Sequence, residues 1–248
     1  MEVVNESDRA SFTRKLEDSD ERIAAMDAAG IDLFVLSQTS PGVQAEKDSA
    51  VAVQRARAAN DYMKALVDEH PDRYRAFAHL AMQDVTAAAD ELQRCVNDLG
   101  FLGALINGST NGIYSTTPAT SRSGSASRSW ACRSTSIRPI PSSSRTSSTA
   151  WRIDSRYEVT NSADKPPLQK APSEYFRSNL IITTTGVCQD SSLQCAIAMM
   201  GEDRVLFSVD YPYEDATQAA QWIETTPLTD EQREKICHGN AERVLGLT

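Results

Sequence analysis

The stretch Arg204-Val205-Leu206-Phe207-Ser208-Val209-Asp210-Tyr211-Pro212 decides the reading of the fold. It is a short apolar run that closes on a carboxylate, the pattern of a buried strand ending on an acid. Helical patterns flank it. Asp190 to Met200 precedes it, and Asp215 to Glu224 and the segment from Asp230 onward follow. Thr229 and Gln232 are spaced as a capping box at the start of the last helix. Further upstream, Pro172 to Ser178 suits a helix and Leu180 to Thr184 a strand.

The amino-terminal half repeats this alternation. Glu21, Arg22, Ile23, Met26 and Asp27 fit an amphipathic helix with Gly30 at its C-cap. Ile31 to Leu36 reads as a strand, Ser37 to Gly42 as a loop, and about Ser49 to Glu69 as a long helix. Tyr74 to Leu80 is a second strand, Asp84 caps a helix to Leu99 that Gly100 ends, and Leu102 to Asn107 is a third strand. Strands that alternate with helices across short connections predict a parallel sheet with helical crossovers. The fold class is α/β. A chain of 248 residues has the length of one (β/α)₈ barrel or two smaller domains.

The net charge of -9 opposes a nucleic-acid or anionic-membrane partner, each of which needs a basic face. No apolar run reaches membrane-spanning length. Met1 to Ala10 is polar and acidic, without the basic and apolar regions of a secretory signal. The five cysteines are scattered and form no CxxC, as expected of free thiols in the reducing cytoplasm.

Between the halves the composition changes. Ser115 to Ala150 contains no Asp, Glu or Lys and is dominated by Ser, Thr, Arg and Pro. Taken at face value it is a disordered, low-complexity insert. Four segments follow: 1–17, disordered; 18–114, the amino-terminal part of a barrel; 115–150, the low-complexity segment; and 151–248, the carboxy-terminal part. A structureless stretch of this length inside a compact barrel is anomalous.

Back-translation suggests a reason. In the frame that takes the third base of each codon with the first two of the next, the residues from the last base of Ser121 to Pro141 can be read as P-F-W-E-R-V-A-E-L-G-V-P-L-Y-I-H-P-A-N-P. The single codon of Trp130 forces the glycine in that string. The recovered text is an amphipathic helix, a turn and an apolar strand ending in histidine, a consistency across levels that marks a folding sequence. An insertion, deletion or misplaced splice site near Tyr114 is the hypothesis. A transcript whose codons are incompatible with that frame refutes it.

These residues resemble the aromatic-acid decarboxylase branch of the amidohydrolase superfamily, as in the 2,3-dihydroxybenzoate and γ-resorcylate decarboxylases. The similarity rests on Ser37-Gln38-Thr39-Ser40-Pro41-Gly42-Val43-Gln44, on Phe77 to Asp84, on Gly103 to Gly108, on Trp151-Arg152-Ile153-Asp154 and on Asp203 to Pro212. The resemblance implies an amidohydrolase-type (β/α)₈ barrel, here incomplete. It also implies a divalent metal, zinc or manganese, at the carboxyl mouth, a small aromatic acid substrate, and homo-oligomers. Metal and neighbouring side chains would bind the hydroxyl and carboxylate of a hydroxybenzoate. Protonation of the ring carbon then releases carbon dioxide.

By resemblance Asp210 is a metal ligand and catalytic group; its plainer reading is an acid that caps a loop. Arg152 matches an arginine that binds the substrate carboxylate, a task suited to a guanidinium's paired donors, and is otherwise a surface arginine. Asn107 stands at a strand's carboxyl end, where barrel sites are built, and is otherwise a turn asparagine before Gly108. His79 reads as a half-buried packing residue, and His70 and His238 as helix-end residues.

The family's strand histidine falls at Ser136-Ile137 in the translated frame, and a second histidine block expected before Trp151 is absent. The first strand with its glutamate ligand is not found in residues 1–17. The chain as written is therefore expected to be unstable or inactive. A metal-dependent hydrolase of the same superfamily and a non-catalytic remnant that serves in interactions stay open as alternatives.

Overall fold

The computed structural model describes residues 6–107, 109–111, 113–114, 133–137 and 172–247. By its contacts the chain divides into a unit of Thr13–Ile140 and a unit of Met1–Phe12 with Pro141–Thr248.

The amino-terminal segment, expected to be without structure, forms helix α1 over Glu6–Glu17. It carries no Gly or Pro, and the Arg14 guanidinium pairs with Glu21 at 2.9 Å. Local propensity thus suffices where no apolar periodicity signals a helix. Helix α2, Ser19–Ala29, starts on the Asp18 carboxylate, which accepts the Glu21 N–H, and stops at Gly30 in the left-handed conformation.

Strand β1, Phe34–Leu36, leads through a 3₁₀ turn at Gly42–Ala45 into helix α3, Ser49–Glu69, capped by Asp48. The strand expected over residues 74–80 divides at Phe77. Its first part, β2 (Tyr74–Ala76), pairs in parallel with β1, and its second, β3 (Ala78–His79), pairs in parallel with β4 (Gly103–Asn107). Helix α4, Val85–Asn97, connects them and is capped by Asp84 as expected. A short hairpin of β5 (Ser109–Thr110) and β6 (Ile113–Tyr114) follows.

The low-complexity segment holds a strand in its described part. Strand β7, Arg133–Ile137, runs parallel to β4, with Ile137 opposite Asn107 and Ser136 opposite Ile106. A parallel ladder is made by main-chain groups, and the far edge of β4 offers them to any extended partner. The rest of 115–150 lies outside the described residues.

In the other unit, helices α5 (Pro172–Asn179) and α6 (Asp190–Met200) flank β8 (Ile182–Thr183), which pairs in parallel with β9 (Val205–Leu206). Strand β9 is shorter than the apolar run suggests. Beyond Leu206, the Thr184 hydroxyl takes over from the ladder, accepting from the Ser208 N–H and donating to the Ser208 carbonyl, both at 3.0 Å. Helix α7 (Ala216–Thr225), helix α8 (Asp230–Glu234), a π-helical turn (Lys235–Gly239) and helix α9 (Asn240–Leu245) complete the chain. The Thr229–Gln232 capping box forms in both directions.

Both cores are built where strands meet helices. In the first unit, Ala76, Ala78 and Ala104 on the strands let Met63, Leu92 and Cys95 of the helices close in. In the second, Leu193, Val205, Ile223 and Ile236 form the centre. Among the described residues no helix is long and apolar enough to cross a membrane.

Candidate functional site

Asp210 follows β9 with φ of 72°, a left-handed backbone that costs a residue bearing a Cβ about 1–2 kcal/mol. Its carbonyl accepts from the Tyr213 and Glu214 N–H groups, which fixes the turn into the Tyr211–Pro212 cis peptide. The carboxylate side chain is exposed. Desolvation, then the negative charge of Glu214, raise its pKa above the ordinary range for aspartate. Around it the carboxyl ends of β8 and β9 present hydroxyls, and the Thr185 hydroxyl donates to Ser208 Oγ at 2.7 Å. An acid held in a strained conformation at a strand's carboxyl end is the kind of position that function, not packing, retains.

In the other unit, Asn107 ends β4 as the sequence pattern requires. Its main chain is held by a residue that the sequence reading missed. Gln44, only 2% exposed in the 3₁₀ turn, accepts the Asn107 N–H at 2.7 Å and donates to the Asn107 carbonyl at 3.1 Å and to Thr110 Oγ1 at 2.8 Å. The side-chain amide thus imitates a neighbouring strand. A glutamine in a polar loop gives no periodic signal, so nothing in the sequence marks it as buried. The Asn107 Nδ2 is itself buried without a hydrogen-bond partner.

His79 is more deeply placed than a half-buried packing residue, at 1% exposure. Its Nε2 accepts the Val43 N–H at 2.9 Å, so the neutral ring carries its proton on Nδ1. Burial lowers its pKa from 6.5 to about 4. Its main chain is gripped by Asn60 of α3, which accepts the His79 N–H at 2.8 Å and donates to its carbonyl at 3.0 Å. Asn60 also donates to Glu91. Burial pushes the Glu91 carboxyl up, but hydrogen bonds from Arg94 and Asn60 and the Arg94 charge outweigh it and hold the group below its ordinary range.

Of the other histidines, one takes a helix-end position and the other lies within the last helical run. His70 caps α3, and His238 lies in the π-helical turn beside Glu242 at 3.2 Å. Arg152 lies outside the described residues. Among the described residues the donor set does not fit a catalytic metal. Every histidine of the chain is placed, and the one that is buried has its Nε2 committed to Val43. Among the described residues no group of three or more His, Cys, Asp or Glu is arranged to hold a metal ion.

The chain is similar to proteins of known activity. The γ-resorcylate decarboxylase of Polaromonas sp. is 32% identical, with 95% of this chain and 89% of that one covered. That alignment spans 291 positions against the 248 residues of this chain, so at least 43 of those positions have no counterpart here. The crystal structure of 2,6-dihydroxybenzoate decarboxylase from Rhizobium superposes with a TM-score of 0.86 at 31% identity, covering 99% of this chain and 93% of that one. A dihydroxybenzoic acid decarboxylase structure from Polaromonas sp., with bound manganese and the inhibitor 2-nitroresorcinol, gives 0.86 at 30% identity, covering 98% and 91%. The strand-and-helix order described above is therefore that of the amidohydrolase-type barrel enzymes. The family described as amidohydrolase matches residues 10–132 and 166–247, and with that extent of agreement the chain belongs to the amidohydrolase family.

Proposed function

We propose that this chain derives from a carbon–carbon lyase that removes the carboxylate of a hydroxybenzoate, and that in its present form it does not turn over. In such a reaction the ring carbon accepts a proton, the carbon–carboxylate bond breaks, and carbon dioxide leaves with neutral balance. The reading of ancestry is carried by Asp210. An acid in a left-handed backbone shortly beyond β9, within a sequence 31–32% identical to dihydroxybenzoate and resorcylate decarboxylases, supports that reading.

The reading of lost turnover is supported by the donor set. The residue at the carboxyl end of β7, level with Asn107, is Ile137. In the hypothesised shifted frame the codon that spans Ser136 and Ile137 can be read as histidine. Manganese is the metal held by the Polaromonas relative, and in this chain Asp210 is the surviving candidate ligand, so no step is assigned to a metal here. A frame slip between Tyr114 and Ala150 accounts for three observations together. These are the composition of the segment, the strand that nonetheless forms at Arg133–Ile137, and the alignment positions of the relative without counterpart here.

The test is direct. The purified chain is incubated with manganese and 2,6-dihydroxybenzoate, and carbon dioxide and 1,3-dihydroxybenzene are measured. No product and clearly substoichiometric manganese are expected, since one carboxylate does not complete a metal site. Stoichiometric metal with turnover overturns the reading of lost activity. Sequencing the transcript across Gly108 to Asp154 then tests the frame slip by itself.

A further inference from the structure

We infer that Asn111 is a site of spontaneous chemical modification, at which the side-chain amide is lost as ammonia and a carboxylate takes its place. The sequence holds two Asn-Gly pairs, Asn107-Gly108 and Asn111-Gly112. A glycine after asparagine leaves the next peptide nitrogen unhindered, because it carries no Cβ. That nitrogen, deprotonated by base, attacks the asparagine Cγ. The nitrogen–Cγ bond forms, the Cγ–Nδ2 bond breaks, and Nδ2 takes up a proton and leaves as ammonia. Water then opens the cyclic imide at either carbonyl, giving aspartate or isoaspartate. Water is the co-reactant, and nothing is oxidised or reduced.

The two asparagines share this chemistry but not their surroundings. Asn111 is exposed and turns a hairpin: Ser109 pairs with Tyr114 and Thr110 with Ile113, so Asn111-Gly112 is the two-residue loop. Its φ of 49° is the left-handed conformation of such loops, and Asn-Gly is the pair that adopts it most readily. Asn107, by contrast, ends β4 in the ladder opposite Ile137. Gln44 holds its N–H and its carbonyl, and its Nδ2 is buried. Imide closure there needs main chain and side chain to swing together and water to reach a buried amide. The fold therefore protects one Asn-Gly pair and offers the other.

Asn111 also stands where the change has a structural consequence. Its Nδ2 donates to the Glu46 carbonyl at 3.1 Å, and the neighbouring Thr110 Oγ1 accepts from Gln44 at 2.8 Å. These bonds tie the hairpin to the 3₁₀ turn and to the residue that follows it. A carboxylate at position 111 has no donor to offer. It sets an anionic acceptor against the Glu46 carbonyl, which already receives the Gln83 amide at 2.8 Å. Isoaspartate also adds a carbon to the main chain of a loop whose length sets the register of its strands. Modification thus loosens the hairpin from the turn and adds one negative charge. The inference does not depend on the decarboxylase reading.

The experiment ages the folded full chain at mildly alkaline pH and reads each asparagine by peptide mapping and mass spectrometry. Isoaspartate is read separately, by methyl transfer from S-adenosylmethionine with an isoaspartyl methyltransferase. Asn111 is expected to react about tenfold faster than Asn107 in the folded chain, and the two rates to converge in urea, where only the shared Asn-Gly sequence acts. Asn111→Gln, whose longer side chain closes its ring far more slowly, removes most of the methyl acceptance. Amide hydrogen exchange over 109–114 is expected to be about five- to tenfold faster in the aged chain and in Asn111→Asp than in the fresh chain, as loss of one hydrogen bond to the turn requires. Equal rates at Asn107 and Asn111 in the folded chain, or methyl acceptance undiminished by Asn111→Gln, overturns the site. Unchanged exchange over 109–114 after modification overturns the consequence drawn for the hairpin.

Discussion

Replacing Gly42 with alanine tests how tightly the turn after β1 is fitted to the strand beneath it. The backbone there has φ of 52°, and the left-handed region costs alanine about 1–2 kcal/mol. The added methyl would lie 2.5 Å from two atoms of the His79 ring. That ring has little room to retreat, because Asn60 holds the His79 N–H and carbonyl together. Overpacking of this kind adds about 1–3 kcal/mol, so Gly42→Ala destabilises the chain by about 2–5 kcal/mol. Urea unfolding followed by circular dichroism measures it. The diagnostic step is a double-mutant cycle with His79→Ala. Once the ring is removed, the alanine at 42 pays only the backbone cost, and the coupling between the two changes is about 1 kcal/mol or more. Additivity within about 0.5 kcal/mol means that the ring and the turn do not press on each other, and refutes the reasoning.

Acid should weaken the fold through His79 in a defined window. Below pH 6.5 the unfolded chain binds a proton that the buried ring refuses until about pH 4, so stability present above 6.5 is lost over that interval. At about 1.4 kcal/mol per pH unit the loss is about 3 kcal/mol, and His79→Gln removes it in pH-dependent unfolding experiments. Glu91, held below its ordinary 4.5, adds a separate loss at still lower pH. Asn60→Ala strips partners from His79 and Glu91 at once and costs about 2–4 kcal/mol by urea unfolding. Asp210→Gly relieves the left-handed backbone and the repulsion from Glu214, and raises stability by about 1 kcal/mol. A destabilised glycine variant makes Asp210 a structural residue instead. With a thiol-reactive chromophore, Cys188 and Cys195 react in the folded protein, whereas buried Cys95 reacts only on unfolding.

The sequence made element types and their order legible because the signals are local. Caps at Asp18, Asp84 and Thr229 and the stop at Gly30 lie where the residue types demand. The division at Phe77 was not legible, since one apolar run cannot announce that its two ends pair with different neighbours. Helix α1 escaped notice because it has no apolar stripe. Of the candidate site, only the positions of Asp210 and Asn107 near strand ends were legible, where position alone is informative. Gln44, Asn60 and His79 were not, because their importance arises from main-chain groups far away in the sequence that need a partner.

Strand β7 shows what a sheet edge asks of the chain that covers it. The ladder with β4 is written in peptide groups, so Arg133-Ser134-Thr135-Ser136-Ile137 satisfies it although its side chains resemble no ordinary barrel strand. Chemistry and concealment are thereby separable. A segment can forfeit every side chain that an active centre needs and still shield the unpaired peptide groups that would invite one molecule to stick to the next. On the reading proposed above, β7 keeps this edge of β4 covered whether or not the chain turns over.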